Sequence, residues 1–391
     1  MLKKILLINI VLIFILAQNA MASSITFLVN DKPIIFSVSP VAVKDRILVP
    51  CRDIFGALGA AVAWDDATQT VTARKGTDEI KFAINGLAYK NGRAINLAAP
   101  ARIIQGSAMV PLRFAAEELD YEVSWNGTSG TVAISAISGN PIQPPPDTYS
   151  NDQKVQYYLS AMGFPTEAGN ASQNEVLTTS KAILFQYKMG LKITGKFDMD
   201  TIAELERSAQ KGWTYDSIMN REGQKLMLLS KNPEINGKLN TADMVVMPAP
   251  YGQKGLLPAY TAVGWAKLVQ AAAKDPGNDM SAFMLISDIG GYRSYDQQVE
   301  LYKESGPATA ALPSRSRHGF GLAIDFNFSD PQTGRAVSHE LKWMEKNASA
   351  FGFTPDTTPN DSRPWTSYFP DGSLNYWETW HWNYPSSTKY Q

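Results

Sequence analysis

The chain is 391 residues long, and its 36 Lys and Arg against 37 Asp and Glu leave a formal net charge of -1. That balance excludes the basic excess of a nucleic-acid-binding protein, and Cys51, the only cysteine, excludes an intramolecular disulfide. The length calls for two or three domains at ~100 to 200 residues each, resting on packed cores that an apolar fraction of 44% can supply.

The chain opens with Lys3 and Lys4, runs apolar from Ile5 to Ala17 with Asn9 as the one interruption, and reaches small residues at Ala20-Met21-Ala22. This is the layout of a secretory signal peptide over residues 1–22. The run is shorter than the ~20 residues that span a bilayer, so cleavage near Ser23 and export without stable membrane insertion are expected. An uncleaved amino-terminal anchor is the alternative. No cysteine follows the run closely enough to carry a lipid.

Residues 24–137 contain an internal repeat. Leu48-Val49-Pro50-Cys51-Arg52 and Val62-Ala63-Trp64-Asp65, followed by Val71, return 61 positions later as Met109-Val110-Pro111-Leu112-Arg113 and Val123-Ser124-Trp125-Asn126, followed by Val132. Each unit predicts a strand ending in Val-Pro, a short amphipathic helix, and two alternating strands around the Trp. The pattern resembles the copper amine oxidase-like amino-terminal domain of exported Gram-positive proteins and implies a repeat-built α+β fold. No copper chemistry is expected, because the segment holds no histidine and Cys51 alone cannot supply the several imidazole or sulfur ligands that copper takes. A spacer or adhesive role follows.

Residues 138–150, with Pro141 and Pro144-Pro145-Pro146, have no apolar period and read as a semi-rigid linker. Residues 151–207 then show apolar residues at spacings of three and four, which predicts short helices separated by Gly-containing turns. Val155-Gln156 with Leu159, Phe185-Gln186 with Gly190, and Thr194-Gly195 with Phe197-Asp198 resemble the peptidoglycan-binding domain family, a small three-helix bundle.

All three histidines, His318, His339 and His381, lie beyond residue 317. His318 and Asp325 stand seven apart in a Gly-punctuated, strand-like apolar run, and Glu378 precedes His381 by three. A catalytic zinc takes three protein ligands and keeps a fourth position open, and two histidines with one Asp are the right types and number. The remaining carboxylate suits a general base. His339, in Val337-Ser338-His339-Glu340-Leu341, is outside both motifs and reads as a surface residue.

Ser316, His318, Gly321, Ala323 and Asp325, followed by Glu378, His381 and Trp382, are similar to the paired motifs of the D-alanyl-D-alanine carboxypeptidases of the VanY type. Gly291-Tyr292-Arg293-Ser294 with Gln298, and Phe351-Gly352-Phe353, match further segments of that family in the same order, over residues 240–391. Gly290 and Asn383 depart from the family's usual residues. The resemblance implies an α+β fold with a central antiparallel sheet and one zinc held by His318, Asp325 and His381. It also implies Glu378 as general base and acid, Arg293 at the scissile carbonyl or its oxyanion, and Ser316 and Gln298 in substrate binding or orientation. Arg293, Arg315, Arg317 and Arg363 are the cations available to a terminal carboxylate.

The expectation is a secreted, cell-wall-located, monomeric multidomain α+β protein whose partner is peptidoglycan and whose reaction is removal of the terminal D-Ala from stem peptides. An endopeptidase with the same metal site is one alternative, and a non-catalytic wall-binding protein is the other.

Overall fold

The computed structural model describes residues 25–43, 46–95, 97, 99–137, 139–165, 170–224, 226, 233–306, 310–328, 338–355, 366–368, 374–376 and 381–384. The expected signal segment, Glu378 and Arg363 lie outside them. The chain divides into two compact units between Ser138 and Gly139, within the Pro-rich stretch.

In the first unit the two Val-Pro strands, Arg46–Pro50 and Ser107–Pro111, pair antiparallel with Val49 opposite Val110. Each runs directly into a short helix, Cys51–Ala57 and Leu112–Glu117, because Pro50 and Pro111 stand at the helix N-cap with φ of -58° and -56°. The Trp-bearing strands Ala61–Asp65 and Tyr121–Asn126 each form an antiparallel hairpin with the strand that follows. Ile54, Phe55, Phe82, Val110 and Ile134 fill the core between sheets and helices. Cys51 is buried there, and burial pushes its thiol pKa up, away from reactive thiolate.

The second unit begins with four helices: α1 (Asn151–Ala161), α2 (Ala171–Met189), α3 (Met199–Gln210) and α4 (Tyr215–Asn220). Ser150 and Asn170 cap α1 and α2 with reciprocal capping boxes, and Asp198 caps α3. Gln186 on α2 holds the Thr194-Gly195 turn, accepting from the Thr194 and Gly195 amides at 2.9 and 3.1 Å. Gly195 is required at that turn, since a Cβ would stand 3.0 Å from the Val246 carbonyl.

Val246 belongs to the strand pair β1 (Met244–Pro248) and β2 (Lys254–Pro258), which leads into helix α5 (Ala259–Ala272). Helix α2 packs along α5, and Val176, Ile183, Leu184 and Tyr187 join Trp265, Leu268 and Phe283 in one hydrophobic core. Gln270 on α5 donates to Ser180 on α2 at 2.7 Å, satisfying both buried groups. Helix α2 is therefore buried on most of its circumference, where a free-standing three-helix module would leave one face in water. The helical segment and the expected peptidase segment share a single core.

Helix α6 (Tyr295–Ser305), strand β3 (Ala323–Asp325), helix α7 (Ser338–Asn347), strand β4 (Thr354–Pro355) and strand β5 (His381–Asn383) complete the unit. The described strands of this unit form the β1-β2 pair, a separate antiparallel sheet in the order β3-β5-β4 and an antiparallel pair of Thr366–Tyr368 with Leu374–Tyr376, where one central sheet was expected. A bridge between Leu285 and Phe326, with Tyr292 N–H donating to the Leu256 carbonyl at 2.6 Å, carries the backbone from one sheet to the other. Among the described residues no helix is long and apolar enough to cross a membrane.

Candidate metal centre

His318, Asp325 and His381 come together in the second unit. Strand β3 pairs antiparallel with β5, and the register sets Asp325 opposite His381. Directly opposed residues project to the same face of a sheet, so the Asp325 carboxylate meets the His381 ring, Oδ1 to Nδ1 at 2.7 Å. His318 comes from a 3₁₀ turn, His318–Phe320, and not from the strand-like run the sequence predicts. Gly321 ends that turn with φ of 62°, and the chain then enters β3, which brings the His318 ring back over Asp325.

The three side chains present a defined set of donor atoms. The His318 Nδ1 lies 2.7 Å from the Gly291 carbonyl, which accepts its proton and so leaves Nε2 with a bare lone pair. That Nε2 stands 3.2 Å from His381 Nδ1 and 3.3 Å from Asp325 Oδ1. A tetrahedral ion with ligand bonds of about 2.0–2.1 Å holds its ligands about 3.3 Å apart. Two of the three separations match that edge, and the third is the Asp325–His381 hydrogen bond.

Their ionisation suits the same purpose. Burial lowers the His318 pKa and outweighs the raising effect of Asp325, and the Arg293 charge adds to the lowering, so the ring is neutral. Burial acts to raise the Asp325 carboxyl, but its electrostatic contacts and hydrogen bonds with the His318 and His381 ring nitrogens hold it below the usual carboxylate range. A neutral imidazole at His318 and an ionised carboxylate at Asp325 are forms that bind a metal ion.

Arg293 follows Gly291-Tyr292 in the loop before α6 and is buried. Its Nη2 donates to Asp325 Oδ2 at 3.3 Å and to the Ile289 carbonyl at 3.3 Å, and its Nη1 donates to Gln298 Oε1 at 3.0 Å. Gln298 passes its own Nε2 proton to the Ala311 carbonyl at 2.8 Å. Arg293 thus pins one carboxylate oxygen of Asp325 while the other faces the imidazoles. Ser316 is also buried, and its Oγ accepts from the His318 amide at 3.3 Å.

The structure therefore gathers His318, Asp325, His381, Arg293, Gln298 and Ser316, with Gln298 and Ser316 engaged in the scaffold of the site. His339 stays apart, its Nε2 3.6 Å from Asp275 Oδ2 on the surface. Arg317, a candidate for a terminal carboxylate, instead donates to the Tyr384 carbonyl at 2.8 Å and ties the His318 turn to the end of β5. Sequence reasoning missed Asn236, whose Nδ2 donates to the Ser316 carbonyl at 2.7 Å. Asn236-Gly237 is legible as a turn dipeptide, but nothing local announces a partner 80 residues away.

Comparison with known proteins finds two family matches. Residues 256–387 match the family D-alanyl-D-alanine carboxypeptidase, and residues 28–134 match the copper amine oxidase N-terminal domain. A D-alanyl-D-alanine carboxypeptidase of Enterococcus faecium is 27% identical over 212 residues, covering 51% of this chain and 64% of that protein. The chain thus spans just under two thirds of that relative's length. Among solved structures, VanYB in complex with D-alanine-D-alanine is 22% identical, with 41% of this chain and 84% of that one covered at a TM-score of 0.26. A vancomycin-resistance D,D-pentapeptidase VanY variant in complex with Zn(II) is 19% identical, with 41% and 86% covered at a TM-score of 0.27. The chain carries a domain of the D-alanyl-D-alanine carboxypeptidase family over residues 256–387, behind a copper amine oxidase amino-terminal domain over residues 28–134.

Proposed function

We propose that the second unit is a zinc-dependent peptidase that removes the terminal D-Ala from peptidoglycan stem peptides. The observation that carries the reading is the convergence of His318 Nε2, Asp325 Oδ1 and His381 Nδ1, two of whose three separations match a tetrahedral edge. The family match over the same residues supports it, and the donor set of two imidazoles and one carboxylate fits zinc. Bound there, zinc would supply Lewis acidity, polarising the scissile carbonyl and acidifying water.

The chain's own groups do the rest. Glu378, three residues before His381, takes a proton from the attacking water as its oxygen adds to the carbonyl carbon. The same carboxyl returns that proton to the amine of the leaving D-Ala as the C–N bond breaks. Arg293, held by Gln298 and Ile289, orients Asp325 and places positive charge beside the carbonyl where negative charge develops. Residues 151–207 are read as a wall-binding surface on the same folded unit, raising the effective concentration of the site on its polymer.

Mass spectrometry of peptidoglycan fragments after incubation with the zinc-loaded protein tests the reading. Loss of a single alanine from pentapeptide stems is expected. Cuts inside the stem or cross-bridge would make the enzyme an endopeptidase, and unchanged fragments would leave a binding protein.

A further inference from the structure

The site is braced by a connector that lies before the residues matched to the carboxypeptidase family. After a 3₁₀ turn at Pro233–Ile235, Asn236 and Gly237 enter between the two motifs that carry the chemistry. On one side Asn236 Nδ2 donates to the Ser316 carbonyl at 2.7 Å, and the Gly237 amide donates to the Gly319 carbonyl at 2.7 Å. These two bonds bracket His318 in sequence. On the other side the Gly237 carbonyl accepts from the Tyr295 amide at 3.0 Å, and the Leu239 amide donates to the Tyr292 hydroxyl at 3.0 Å. Those bonds bracket Arg293.

The fit leaves no slack. Asn236 is buried, and a Cβ on Gly319 would fall 2.1 Å from its Oδ1. Gly237 adopts φ of 73°, and a Cβ there would fall 2.4 Å from the Tyr295 amide nitrogen. Glycine at both positions is what lets the connector press against both motifs. The motifs are also linked directly, by the Arg293 amide donating to the His318 carbonyl at 3.1 Å, by His318 Nδ1 bonding the Gly291 carbonyl at 2.7 Å and by Arg293 Nη2 donating to Asp325 Oδ2 at 3.3 Å. Those links join His318, Arg293 and Asp325 themselves, whereas the connector adds contacts on both flanks of His318 and of Arg293.

We propose that Asn236-Gly237 is the positioning element of the metal centre, setting the His318 turn against the Arg293 segment so that Nε2 of His318 faces Asp325 and His381. It touches neither substrate nor metal. The inference rests on the reading of His318, Asp325 and His381 as zinc ligands, and it extends the functional site to a segment outside the family match.

The test uses the full chain, stripped of metal and titrated with zinc against a chromophoric chelator. Asn236→Ala is expected to hold zinc about 10- to 100-fold more weakly, the range for losing a group that orients a ligand, with kcat falling and KM little changed. Ser180→Ala is the control, because it also breaks a buried 2.7 Å hydrogen bond, the one from Gln270, without touching the site. It should lower the melting temperature and leave zinc affinity alone. Asn236→Asp keeps the side-chain volume while replacing the donor, and it decides the question if Asn236→Ala does not fold. Zinc affinity within about twofold of wild type in the folded variant, or no lower than in Ser180→Ala, overturns the proposal. His318→Ala separates the two readings: if it keeps wild-type affinity, the ligand assignment itself fails. If it loses zinc while the Asn236 variants keep it, only the bracing role fails.

Discussion

Asp325 and His381 stand opposite each other in an antiparallel strand pair, with Oδ1 2.7 Å from Nδ1. The sheet register thus brings together two of the three candidate metal ligands. The third comes from the His318 turn, locked by the hydrogen bond from Nδ1 to the Gly291 carbonyl. A site assembled from rigid pieces in this way is organised before any ion arrives, and the loss of each piece has its own signature.

Ligands and base should separate cleanly on substitution. Asp325→Ala and His318→Ala each leave two protein ligands, and zinc affinity should fall by more than the ~100-fold upper range for orienting groups. Glu378→Ala should keep zinc and the fold yet lose activity by ~10²- to 10⁴-fold, as for removal of a general acid-base group. Arg293→Ala should slow turnover by roughly 10²- to 10³-fold, the range for one oxyanion donor. Metal analysis beside initial rates measures all four. Loss of zinc from Glu378→Ala with retention in Asp325→Ala would mean that base and ligand have been exchanged.

Stability of the metal-free protein should decline on the acid side of neutrality. The folded protein holds the His318 pKa below its ordinary value near ~6.5, chiefly because the ring is buried. The unfolded chain therefore binds the proton more readily as pH falls. The stabilisation is complete above the ordinary value and is lost progressively as pH drops towards the depressed one. Asp325, also depressed, acts in the same sense at lower pH, with its contribution present above the usual carboxylate value of ~3.9 and lost below it. Melting temperatures of the chelator-treated protein between about pH 8 and 5 should fall, and His318→Gln should flatten that slope. A metal-free protein equally stable at both ends would contradict the buried, neutral His318.

Removing residues 151–207 should unfold the peptidase rather than release it. Val176, Leu177, Ile183, Leu184, Tyr187 and Ile193 are buried in the core that contains Trp265 and Phe283. At ~1.5–3 kcal/mol for each buried side chain, their loss is on the order of 10 kcal/mol, comparable to the ~5–15 kcal/mol stability of a whole domain. Circular dichroism and gel filtration of a variant lacking residues 151–207 would decide this. A folded, monomeric variant that still cleaves a small soluble peptide would show that α2 is dispensable to the catalytic core.

The sequence by itself determined the local pieces. The seven-residue step from His318 to Asp325, the Glu378 to His381 spacing, the Gly291-to-Gln298 segment and the Pro-rich stretch at the unit boundary could all be read directly, because each depends on near neighbours. Helix capping is local in the same way: Asp198 starts α3 through its own side chain and the amide three residues on. Only the tertiary structure decided how the pieces meet. Asp325 reaches His381 through the register of strands 56 residues apart, and Asn236 reaches Ser316 across 80. Helix α2 carries the apolar spacing of an independent bundle, yet its remaining faces are covered by α5, β1 and the Phe283 segment. Periodicity reports which side of a helix avoids water, but not which surface covers it, since hydrophobic burial has no direction and accepts any apolar partner. The partner is set by chain topology and close packing, and here that packing joins a segment resembling a wall-binding module to the core beneath the candidate metal ligands.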